Sequence, residues 1–132
     1  MEAAQRFLEA KERYPVGSEK WAEATALAFN MLTQEACAEV AKPEWWNDEG
    51  LKALSARVVR AAPDDRQANQ MRALVLCEDC VGWEAEPRSA AELIEAATHC
   101  DRAVALNPVP AAISQFAGIA YDCRSRAKAM SV

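Results

Sequence analysis

Apolar residues recur along this chain at every third or fourth position, which is the spacing of one face of an α-helix. Alternating patterns typical of strands are not evident, and alanine outnumbers the β-branched residues, which favours helix further. We therefore expect an all-α protein with about six helices. The expected helices cover residues 2–14, 19–41, 48–61, 66–81, 90–106 and 110–127.

A proline lies at the turn between the two helices of each predicted pair. Pro15, Pro63 and Pro108 each follow an Ala-rich helical run, and each is followed by another helical run. Proline lacks the backbone N–H that a helix needs, so each one ends the helix before it. The prolines are 48 and 45 residues apart, within the range typical of stacked structural repeats. This spacing predicts three helical hairpins.

Polar residues at the expected helix starts support these boundaries. Their side chains can accept hydrogen bonds from the first backbone N–H groups of a helix. The most specific signal is Ser89-Ala-Ala-Glu92, a capping-box pattern. The other candidate caps are Ser18, either Asn47 or Asp48, and either Asp64 or Asp65.

Size and charge limit the class of protein. The 132 residues suit one domain, and 52% of them are hydrophobic. A net charge of −5 argues against a nucleic-acid partner, because phosphate contacts require clustered basic residues. No apolar run is long enough to span a membrane, so we expect a soluble chain. The odd count of five cysteines favours a reducing compartment, either the cytoplasm or an organellar matrix or stroma with any transit peptide outside this sequence.

The segments PEWWNDEG and VGWEAEPR interrupt the helical pattern and contain three of the four tryptophans. Exposed tryptophan is favoured at protein interfaces, and acidic residues at the rim would steer a neutral or basic partner surface. We predict partner-binding residues in these segments; they are Trp45, Trp46, Trp83, Glu84 and Glu86. The alternative is that the tryptophans cover the seams between hairpins, with the acids as a solvated surface.

Possible chemistry is concentrated in four residues. Cys77, Cys80, His99 and Cys100 are of the types that bind zinc, and Cys77-x-x-Cys80 could form a redox pair. Adjacent ligands on one helix point about 100° apart, however, and the cysteines lie on apolar faces. We therefore expect buried thiols and no metal or cofactor. A zinc-, cofactor- or pigment-binding helical protein remains the alternative, and an enzyme is disfavoured because no convergent set of catalytic residues is evident.

Residues after the prolines resemble tetratricopeptide repeats, in which a small residue follows a helix-ending proline by ten positions and a bulky one by thirteen. Gly118 and Tyr121 follow Pro108 in this way, and Ala73 and Leu76 follow Pro63. The intervals here are longer than the family repeat by 14 and 11 residues, at the two tryptophan-containing segments. The resemblance implies a right-handed array of three hairpins that binds other proteins. We expect a non-catalytic interaction module or a small subunit of a larger assembly.

Overall fold

The computed structural model describes residues 8–34, 43–77 and 83–130, and these ranges contain six helices and no strand. The predicted all-α class is confirmed. Helix α1 is described over residues 8–11. The others are α2 (Glu19–Gln34), α3 (Asp48–Ala61), α4 (Arg66–Leu76), α5 (Ala90–Leu106) and α6 (Pro110–Met130).

The helices pack against one another in a compact array. Helices α3 and α4 form one hairpin and α5 and α6 form the next. Helix α2 contacts both α3 and α4, so these three helices form a mutually packed group. Helix α5 also lies against α4, and this contact joins the two hairpins.

The expected caps are present at the helix starts. The Ser18 hydroxyl accepts a hydrogen bond from the Trp21 N–H at 3.1 Å. Asn47 Oδ1 accepts from the Gly50 N–H at 2.8 Å, which identifies Asn47 and not Asp48 as the cap of α3. Asp65 Oδ2 accepts a hydrogen bond from the Ala68 N–H at 2.9 Å, so Asp65 and not Asp64 caps α4.

The capping box is complete at the start of α5. Ser89 Oγ accepts from the Glu92 N–H at 3.1 Å, and Glu92 Oε1 accepts from the Ser89 N–H at 2.9 Å. Two of the three helix-ending prolines act as predicted, because α3 ends at Ala61 before Pro63 and α5 ends at Leu106 before Pro108. The prediction for the first helix is wrong at its end, since α1 ends at residue 11, four residues before Pro15. Local sequence signals therefore define most helix boundaries.

Helix α4 is shorter than the predicted 66–81, since it ends at Leu76 with Cys77 as its C-cap. Two arginines from other parts of the chain bind carbonyl groups at this end. Arg88 Nη2 donates to the Val75 carbonyl at 2.9 Å, and Arg126 Nη1 donates to the Cys77 carbonyl at 3.1 Å. A helix leaves its last carbonyls without internal partners, and cations there are stabilising. Tertiary contacts thus determine the C-terminal end of α4, which the apolar pattern did not indicate. The predicted helical residues 35–41 and 78–81 lie outside the described ranges.

The hydrophobic core has two parts. The first lies among α2, α3 and α4 and contains Phe29, Leu51, Met71 and Trp46. The second lies among the end of α4, α5 and α6 and includes Phe116. Helix α2 is buried on more than one side, since Trp21, Ala22, Phe29 and Leu32 are all covered.

Helix α6 differs from α2 because only one face is covered. Its buried residues follow one another at intervals of three or four, which is a single stripe along the helix. They are Ala112, Phe116, Ala120, Cys123 and Ala127. In the described ranges, α5 is the main packing partner of α6, and Arg126 of α6 also reaches the C-cap of α4. The rest of this long helix faces outward.

We predict that Ser89→Ala lowers the free energy of unfolding by about 1 kcal/mol, because it leaves the Glu92 N–H without its capping partner. Urea unfolding monitored by circular dichroism would measure the loss. Ser114→Ala, at an exposed interior position of α6, is the matched control and should change stability little. Equal effects of the two substitutions would contradict a specific capping role.

Candidate functional site

A buried ion pair joins the start of α3 to the segment before α5. Asp48 is the first residue of α3 and is 8% exposed. Arg88, which is 3% exposed, binds this carboxylate with both terminal nitrogens; the Nη1–Oδ2 distance is 2.9 Å, and Nη2 donates to Oδ1. A bidentate arginine–carboxylate pair fixes orientation as well as distance. It therefore holds the segment that precedes α5 in one place.

The carboxylate of Asp48 has two further donors. The indole Nε1 of Trp83 donates to Oδ1 at 3.2 Å, and the Glu86 N–H donates to Oδ2 at 3.2 Å. Arg88 also donates to the Glu86 carbonyl at 2.9 Å. The hydrogen bond from Arg88 is the main cause that lowers the pKa of Asp48 from 3.8 to about 2, against the opposing effect of burial. Asp48 is therefore ionised at any physiological pH.

Three tryptophans and a phenylalanine pack beside this ion pair in tilted and edge-to-face arrangements. The ring centroids of Trp46 and Phe29 are 5.2 Å apart, and those of Trp46 and Trp83 are 5.5 Å apart. Trp45 lies 5.9 Å from Trp46, and the ammonium of Lys11 lies 5.6 Å from the Trp45 ring. These separations are those of favourable aromatic packing. The aromatic cluster (Phe29, Trp45, Trp46 and Trp83) fills the space where both tryptophan-containing segments meet α2.

The predicted partner-binding residues are thus brought together, but the tryptophans face inward. Trp46 is buried, and Trp45 and Trp83 are half-buried against the first core. Glu84 and Glu86 are exposed beside them. The structure shows a packing role for the tryptophans, and a role for these five residues in partner binding stays a prediction.

The local sequence does not reveal Asp48 as a buried carboxylate or Arg88 as its partner. Asp48 stands where a helix cap is expected, and Arg88 is a lone base in an acidic segment next to a proline. The one available signal was that isolated base between Glu86 and the capping box. Their separation of 40 residues hides the pair from any local pattern.

A second polar network crosses between α4 and α5. The side-chain amide of buried Asn69 donates to the Pro63 carbonyl at 3.0 Å and to the Asp65 carbonyl at 2.9 Å. Both amide protons are then used, so Asn69 Oδ1 must accept from His99 Nδ1, which is 2.8 Å away. This arrangement assigns the proton of neutral His99 to Nδ1. The imidazole therefore holds α5 against the turn between α3 and α4.

Glu95, one helical turn before His99, lies on the other side of the imidazole. Its Oε2 is 3.5 Å from His99 Nε2 and accepts from Arg72 Nε at 2.8 Å. Arg72 also donates to the Lys52 carbonyl at 2.8 Å and to Ser55 Oγ at 2.9 Å. Burial lowers the pKa of His99 below 6.5, and the charges of Arg72 and Arg102 add to this effect while Glu95 opposes it. His99 is consequently neutral at pH 7.

The candidate zinc ligands do not form a site in the part of the chain that is described. Cys77 and Cys100 are buried in the second core with Cys123. Burial raises the pKa of the Cys100 thiol to about 12, so it is not a thiolate at neutral pH. Within residues 8–34, 43–77 and 83–130, no three His, Cys, Asp or Glu residues are arranged to hold a metal ion. Cys80 lies outside these ranges.

The outward surface of the last hairpin contains a groove between α5 and α6. One part, of about 330 Å³, is lined by residues that include Asp101, Ala117, Tyr121 and Arg124. An adjoining part, of about 390 Å³, is lined by Ala90, Ile94, Arg124, Ala127 and Lys128. The two parts are neighbours, since Arg124 and Lys128 line both of them. We call this feature the α5–α6 groove.

The groove presents apolar side chains to solvent. Tyr121 is 76% exposed, and Ile94 is 53% exposed. Arg124 Nη2 donates to Asp101 Oδ2 across the groove, and both side chains are exposed. Tyrosine and arginine are enriched among residues that dominate binding energy at interfaces. The groove therefore has the composition of a contact surface.

No protein-family model, curated protein or solved structure matches this chain. The resemblance to tetratricopeptide repeats consequently stays a prediction. Among the described residues, no helix combines the length and apolarity needed to cross a membrane.

We predict that Asp48→Asn lowers the free energy of unfolding by about 3 kcal/mol, because it leaves the buried guanidinium of Arg88 without a counter-charge. Glu49→Gln is the matched control, since Glu49 is the exposed next residue in the same first turn and loses a comparable interaction with the helix dipole. Urea unfolding at neutral pH would compare them. A difference below about 0.5 kcal/mol would show that the pair is not a main source of stability.

We also predict that stability falls as the pH drops below about 6.5, because unfolded His99 binds a proton that the folded state disfavours. The stability that neutral His99 contributes is fully present above the pKa of His99 in the unfolded chain. It is lost as the pH falls toward the lower pKa of His99 in the folded protein. Urea midpoints between about pH 7.5 and pH 5 should therefore decrease, and His99→Gln should reduce this slope.

Glu95→Gln is the informative comparison, because it removes the group that raises the pKa of His99. It should extend the loss of stability to lower pH than in the parent chain. An unchanged pH dependence in both variants would assign the slope to other groups.

Proposed function

We propose that this protein is a non-catalytic protein-interaction module or a small structural subunit of a larger assembly, built as a tetratricopeptide-like array of hairpins. The observation that carries the proposal is the uncovered α5–α6 groove at the end of the array. Helix α2 is buried on several sides, whereas α6 is covered on one stripe and exposes apolar residues beside it. Such a surface favours association with another macromolecule.

The remaining exposed apolar side chains support an interaction role. They are concentrated on the last hairpin, on both helices and the turn between them. The large ones there are Ile94, Leu106, Val109, Ile113, Tyr121 and Met130. Six of eight such residues of the described ranges lie in this hairpin, so the exposure is localised and not scattered.

The proposal assigns different tasks to the two regions of the molecule. The tryptophan-containing segments stabilise the join between hairpins, with Trp45, Trp46 and Trp83 packed inward. Glu84 and Glu86 remain on the surface beside them, where they would repel an acidic partner and attract a basic one. The α5–α6 groove supplies the main contact area.

Affinity purification of the tagged chain from its native cells, with quantitative mass spectrometry, tests the proposal. We expect partners at fixed, near-equal amounts if the chain is a structural subunit, and several substoichiometric proteins if it is an adaptor. Ala117→Glu, which places a charge in the groove, would serve as the comparison, because Ala117 is exposed and the substitution should leave the fold intact. Recovery of the parent chain alone, under gentle and cross-linked conditions, would overturn the interaction role.

A further inference from the structure

We draw no further inference here: the strongest candidate, the exposed apolar face of the α5–α6 groove on the last hairpin, carries none because nothing in the structure shows what covers it.

Discussion

The ion pair between Asp48 and Arg88 is the interaction on which the arrangement of hairpins depends. One carboxylate at the start of α3 receives donors from Arg88, Trp83 and the backbone of Glu86. The same arginine binds a carbonyl at the end of α4. Buried charges are costly unless they are paired and fully hydrogen-bonded, so a small displacement of any of these groups is penalised. The pair therefore specifies one geometry for the junction of α3, α4 and α5.

Two apolar cores surround this junction, while hydrogen bonds and ion pairs fix the orientation of the helices that meet there. The aromatic cluster closes the first core beside the ion pair, and Phe116 with its neighbours closes the second. The network of Asn69, His99 and Glu95 makes a second polar crossing between the hairpins. Hydrophobic contact is non-directional, whereas these hydrogen bonds are directional. Together they fix how the last hairpin, which contains the α5–α6 groove, is joined to the rest of the array.

The contrast between the two halves of the molecule connects structure to the proposed function. In the first group, α2, α3 and α4 each contact the other two, and the large apolar residues are covered. In the last hairpin, α5 and α6 share one core while Ile94 and Tyr121 remain in solvent. The proposed interaction role rests on this contrast between a covered group of helices and an exposed last hairpin.

The sequence by itself determined the all-α class, most helix starts and the candidate caps, because these depend on residues within about one helical turn of each other. Ser18, Asn47, Asp65 and Ser89 cap helices through contacts within one turn, and the prolines act on the helix just before them. Only the tertiary structure decided where α4 ends, which way the tryptophans face and what surrounds Asp48. The donors to that carboxylate come from residues 35 to 40 positions away, and no local pattern records which distant groups will meet when the helices pack. The sequence did not predict the α5–α6 groove for the same reason, since its lining comes from two helices and forms only when they pack.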